Sequence, residues 1–136
     1  MHPTTRSYSD SRRFIQLCRI TLLVALISGA FIALAGGPAS NVTQYVDDKL
    51  LHFLGAAVLG LLLDHSFPGP RSYYWRWQAP LLLSYGILIE IAQGFTAHRV
   101  ADVYDVLANA AGLLAYGVVR SLLANRRPTN GQDKTP

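Results

Sequence analysis

The sequence predicts an all-α integral membrane protein with four transmembrane helices and both termini on the cytoplasmic side. Three observations carry that prediction. Charged residues make up 15% of the 136 residues and hydrophobic ones 51%, whereas soluble domains carry about 25% charge. The apolar residues gather into four nearly unbroken runs, which leaves too few polar faces to cover a soluble bundle. Basic residues alternate with these runs, and ten of the twelve fall in segments that share one side if four helices cross a bilayer in turn. The length suits one domain, the apolar content excludes disorder, and a single cysteine, Cys18, excludes a disulfide framework.

The first run, Ile20 to Gly37, extends upstream through Phe14, Ile15 and Leu17 and follows Arg6, Arg12, Arg13 and Arg19. Ala33-Leu34-Ala35 resembles a signal-peptidase site, but the run exceeds a usual signal segment and Pro38 follows closely, so a retained helix is expected. The second run, Leu50 to Leu63, is interrupted only by His52. Alone it fits a buried helix of a soluble protein equally well; the other three runs make it a membrane helix. Phe67-Pro68-Gly69-Pro70 ends it and opens an inner loop, because proline lacks the backbone donor and glycine tolerates positive φ. Tyr73, Tyr74, Trp75 and Trp77 then suit an aromatic anchor at the headgroup boundary. The third run, Ala79 to Phe95, holds one charge, Glu90. The fourth, Val103 to Leu123, holds Asp105 and Asn109 near its start and Arg120 near its end. The expected organisation is a cytoplasmic segment 1–13, a membrane domain 14–123 and a polar cytoplasmic tail 124–136.

The side that receives Arg6, Arg12, Arg13, Arg19, Arg71, Arg76, Arg120, Arg126, Arg127 and Lys134 is cytoplasmic by the positive-inside rule. Lys49 and Arg99 face outward, outnumbered by Asp47, Asp48, Asp102 and Asp105. The pI near 9.5 thus reflects topology and anionic lipid and requires no nucleic acid.

In this layout the second helix begins, the third ends and the fourth begins at the outer face, and all three ends carry polar groups. Asp48, Lys49 and His52 share one helix face, as do Glu90 with Gln93, and Asp102 with Asp105 and Asn109. Glu90 lies roughly 18 Å along its helix from Gln78, in the outer half of the bilayer. An ionisable residue there costs about 2.5–3.5 kcal/mol unless paired or hydrated, so these groups are expected to face one another. Two readings stay open. One is an interhelical clasp, in which Lys49 or Arg99 neutralises Asp105 or Glu90 while Asn109 and Gln93 bond across helices. The other is a site open to the outer face, with His52, Glu90 and Asp105 as acid/base groups and Asp48, Lys49, Gln93, Arg99, Asp102 and Asn109 as ligand-binding groups. There is no His-Glu-x-x-His and no cysteine pair, so no metal is assigned, and the sequence names no cofactor. His65 and His98 read as solvated loop residues and Cys18 as packing. Ala56 with Gly60, and Ala108 with Gly112, have the spacing of close helix contacts.

Asp48-Lys49-Leu50-Leu51-His52-Phe53, Glu90-Ile91-Ala92-Gln93, Arg99-Val100-Ala101-Asp102-Val103-Tyr104-Asp105 and Asn109-Ala110-Ala111-Gly112 resemble the VanZ-like family. Its pattern is Asp-Lys-x-x-His, Glu-x-x-Gln and Arg-x-x-Asp-x-x-Asp-x-x-x-Asn-x-x-Gly. The resemblance spans about Asp47 to Gly117, and the first helix matches only in character. It implies a small multi-pass protein of the bacterial inner (cytoplasmic) membrane, in a family whose namesake is associated with resistance to the glycopeptide teicoplanin; it implies no reaction. The expected function is that of a cell-envelope protein whose outer-face polar pocket binds, or binds and modifies, a lipid-linked or anionic envelope component. Arg99, Lys49 and His52 would meet phosphate. The alternative is a non-catalytic structural or partner-binding membrane module whose cluster holds the helices together. A transporter comes third, since four helices without an inverted repeat leave little room for alternating access. Membrane lipid is the expected partner, and an oligomer is compatible with the sequence.

Overall fold

The computed structural model describes residues 5–35, 48–96 and 101–125. All regular structure among them is helical. α1 (Thr5–Leu34) is followed by α2 (Asp48–Ser66); α3 (Arg71–Tyr73) passes through a π-helical turn (Tyr74–Gln78) into α4 (Ala79–Gln93); α5 (Val103–Asn125) closes the chain. Segments within α1, α2 and α5 are long and apolar enough to cross a membrane: Asp10–Leu34, Asp48–Ser66 and Val103–Ala124. The chain is therefore a multi-pass membrane protein. α4 differs from the expectation of a fourth such run, because its 15 residues reach only about 22 Å at 1.5 Å per residue. The continuous helical run 71–93 reaches about 34 Å, comparable with a hydrocarbon core of about 30 Å.

The helix ends follow local chemistry. α1 stops at Leu34, with the Ala35 amide donating to Phe31 O at 2.8 Å, just before Gly36, Gly37 and Pro38, which lie outside the described residues. α2 outruns its apolar core at both ends. Asp48 in its first turn suits the positive helix terminus, and Phe67 N donates to Leu63 O at 3.0 Å before the Pro68-Gly69-Pro70 break. Asp102 caps α5, its Oδ1 accepting the Tyr104 amide at 2.9 Å.

α2 and α5 touch at their backbones. A Cβ on Gly112 would run into the Phe53 carbonyl and stand 3.2 Å from Ala56 Cβ, and one on Gly60 would stand 3.1 Å from Tyr74 Oη. Of the small residues expected at close contacts, Ala56 and Gly112 meet each other, and Gly60 makes room for Tyr74, Tyr116 and Leu113; close approach of backbones takes the place of a hydrophobic driving force that lipid cannot supply. Leu22, Ala56, Leu63, Leu82 and Leu113 form the core, with contributions from α1, α2, α4 and α5. Large apolar side chains elsewhere point outward, among them Leu17, Leu23, Ile27 and Phe31 on α1 and Val118, Val119 and Leu122 on α5. α1 is tied in mainly through backbone carbonyls: Tyr85 Oη donates to Leu26 O at 2.6 Å and Gln93 Nε2 to Ala33 O at 3.1 Å, while Arg19 Nε donates to Ser66 O at 3.1 Å.

Three expectations are corrected at the opposite end of the bundle. The stretch after Pro70 is helix, not loop, from Arg71 onward. Tyr74 is fully buried and leaves the aromatic anchor to Tyr73, Trp75 and Trp77. The π turn rotates it inward, where its hydroxyl donates to Leu113 O at 2.8 Å and its ring meets Trp75 and Tyr116 edge-on. His65 lies in the last turn of α2, with Nδ1 donating to Leu61 O at 2.8 Å and its ring edge-on to Phe14, whereas His98 lies outside the described residues.

Candidate functional site

The first turns of α2, the last turn of α4 and the first turns of α5 meet at one end of the bundle. Helical spacing sets the side chains. Asp48, Lys49 and His52 descend one face of α2, Glu90 and Gln93 one face of α4, and Asp102, Asp105 and Asn109 one face of α5. Glu90, Gln93, Asp105 and Asn109 are buried, Asp48, His52 and Asp102 half-buried, and Lys49 exposed.

Lys49 links the two central helices. Its Nζ lies 2.9 Å from Asp102 Oδ2 and 3.6 Å from Asp105 Oδ1, and it also stands over the Tyr104 ring at 5.7 Å. His52 Nε2 lies 3.6 Å from Asp105 Oδ2, an ion contact too long for a good hydrogen bond. Asp48, His52 and Asp105 each offer one donor atom within 4.8 Å of the others. Such an oxygen and nitrogen set is of a type divalent cations accept, but the Lys49 ammonium already supplies positive charge to the same Asp105. Glu90 Oε1 accepts the Asp102 amide and so fixes the entry of α5 against α4; its Oε2 is buried without a hydrogen-bond partner among the described residues. At Asp102, the Lys49 hydrogen bond and then the Tyr104 amide hold the carboxyl below the usual carboxylate range.

Of the nine sequence-selected residues, Arg99 lies outside the described residues. Asp48, Lys49, His52, Asp102 and Asp105 come together, and Glu90 joins them through the Asp102 amide. Gln93 and Asn109 do not form the expected mutual bond. Gln93 donates to Ala33 O on α1, and Asn109 packs where a Cβ on Gly86 would come within 2.8 Å of its Nδ2.

A cavity of about 350 Å³ runs beside this cluster between α1, α2 and α4. Ala25, Gly29, Ile32, Leu51, Gly55, Leu59, Leu82 and Ile89 make its walls largely apolar, while Asp48, His52, Gln93 and Asn109 supply polar groups. His52 thus stands with a carboxylate behind it and open space before it, an arrangement that suits proton transfer. The cavity had no sequence signal beyond the four-residue spacing of Ala25, Gly29 and Ala33.

Sequence reasoning also missed a second polar network at the other end. Arg120 Nε lies 2.6 Å from Asp64 Oδ2, and Tyr116 Oη donates to the same oxygen at 2.9 Å. Arg120 further donates to the carbonyls of Arg71 and Gly69, and Arg71 to that of Ser121. The available signal was an acid near the end of one apolar run and a base near the end of another, with Tyr116 and Arg120 one turn apart.

Comparison with known proteins places the described cluster within a longer match. The model of the VanZ/LLP1 family matches residues 3–123. No curated protein and no solved structure matches the chain.

Proposed function

The chain belongs to the VanZ/LLP1 family, and from that premise we propose that it is a bacterial inner-membrane protein whose outer-face pocket binds, and can modify, a lipid-linked or anionic envelope component. In this reading the run 71–93 serves as a fourth span and both termini are cytoplasmic. One observation carries the proposal: a carboxylate, an imidazole and two amides line part of a cavity whose other walls are apolar. An amphiphile matches both parts. His52 acts as acid or base with Asp105 orienting it, and Glu90 supports the same function by holding Asp102 and α5 in place. Asp48, Gln93 and Asn109 bond the polar part of the ligand. Lys49 keeps its pairs with Asp102 and Asp105 and offers phosphate its remaining donor capacity, and Arg99 is the second cation assigned to phosphate from the sequence.

The Lys49 contacts from α2 to Asp102 and Asp105 favour the second reading, a clasp that only joins helices. Asp105→Asn separates the two. It keeps the shape and hydrogen-bonding capacity of the side chain but removes the charge that a clasp needs opposite Lys49, whereas in a hydrated pocket rich in carboxylates it only relieves repulsion. The expected result is an unchanged or raised melting temperature of the purified protein, with loss of the envelope phenotype, read as glycopeptide susceptibility at matched expression. A large drop in melting temperature, with phenotype lost only in proportion to protein amount, establishes the clasp instead.

A further inference from the structure

We propose that the cavity between α1, α2 and α4 is a lateral groove that takes one hydrocarbon chain of a membrane lipid. This rests on the lipid-linked ligand proposed above and specifies where its chain lies.

In a helix interior glycine is less favourable than any residue except proline, so a helical glycine usually marks a close approach of something else. Gly86 has such a neighbour in Asn109, and Gly112 has one in α2. Gly55 has none: a Cβ there would meet nothing within 4 Å. At Gly29 it would meet only Tyr85 Oη, at 3.9 Å. Both line the cavity, from different helices, and both are exposed, as are Leu51 and Ile32 beside them. Around membrane-spanning helices, the medium that such an opening meets is lipid hydrocarbon. The room the two missing side chains leave is therefore unused by the described residues and accessible from the bilayer. Its volume of about 350 Å³ and its largely apolar walls suit a stretch of a single hydrocarbon chain. His52 and Gln93 also line it, so a chain in the groove brings its head to the polar cluster.

The test uses the full-length protein in nanodiscs and two photoactivatable probes carrying a diazirine in the same mid-chain position. One is a single-chain hexadecyl phosphate, the other a two-chain phosphatidylglycerol. Labelled peptides are mapped by mass spectrometry, with the lipid-facing stretch 118–122 of α5 as internal reference. Hexadecyl phosphate is expected to label residues 51–59 and Ile89 well above that reference. Gly55→Leu and Gly29→Leu, which fill the groove from opposite walls, should each reduce groove labelling about tenfold while leaving the reference and the melting temperature unchanged. Equal loss with phosphatidylglycerol supports the groove and assigns its chain to bulk phospholipid. Groove labelling that does not rise above the reference, or that persists in both variants, overturns the proposal. So does a change from dimer to monomer in Gly55→Leu with labelling unaltered, which gives the space to a helix of a second copy. Asp105→Asn is expected to keep groove labelling, so failure of the chemistry proposed for the cluster and failure of the groove produce different results.

Discussion

Asp64 and Arg120 show how a single pair can fasten two distant parts of the chain. Both are mostly shielded from solvent, and the same Asp64 oxygen also accepts the Tyr116 hydroxyl. Arg120→Ala leaves that carboxylate without its cation and the carbonyls of Gly69 and Arg71 without a donor. The expected loss is about 3–5 kcal/mol, read as a lower melting temperature in detergent. The double variant Asp64→Leu with Arg120→Leu should recover much of it, since no charge is then stranded. Lys49 and Asp102, at the other end, are more exposed and titrate. Because the Asp102 carboxyl is held below its ordinary value, the stabilisation from this contact is fully present above about pH 3.9 and is lost as pH falls through the lowered value. The melting temperatures of the wild type and of Asp102→Asn should therefore differ at neutral pH and converge at strongly acidic pH.

At the scale of elements, the α2–α5 contact admits no added bulk. Gly112→Leu must displace the Phe53 backbone, and a loss of about 1–3 kcal/mol or failure to accumulate is expected. Gly55→Ala, on the same α2 surface system but facing open space, should instead raise the melting temperature by the equivalent of up to about 1 kcal/mol. The pairing of α2 with α5 was legible because Ala56, Gly60 and Gly112 declare small faces and because intramembrane charges such as Asp105 require partners. The π turn was not. Tyr74–Gln78 contains neither glycine nor proline, and its aromatics carry the same signature as interfacial ones. Only the burial of Tyr74 against Leu113 distinguishes it. The pairing of Arg120 with Asp64 was not legible because a base near a helix end satisfies the topology rule, and nothing in the local sequence points to an acid 56 positions away.

For the molecule as a whole, side is the property that the charge pattern predicts most directly. With Cys18 replaced by serine, cysteines at Thr96 and Ser72 stand at opposite ends of the run 71–93. They should react with an impermeant reagent from opposite faces of intact cells, Thr96 from outside. Reaction of both from one face would remove the run 71–93 from the spans and turn the cluster away from the envelope. The membrane class and the convergence of α2, α4 and α5 were readable because burying charge in lipid is expensive and so constrains sequence. The cavity was not, because empty space is defined by the positions of several helices, and a small residue such as Gly29 or Gly55 reads the same in sequence whether a neighbour packs on it or nothing does.

The attachment of α1 has a consequence for descent. Tyr85 and Gln93 secure this helix by binding its main-chain oxygens at Leu26 and Ala33. A carbonyl is the same whatever side chain accompanies it. Apart from Arg19, which reaches Ser66, and Leu22 in the core, substitutions along α1 are thus expected to be tolerated as long as they remain apolar outside and small toward Ala25, Gly29 and Ala33. Among diverging descendants this segment is expected to lose recognisable sequence first while its path through the fold persists.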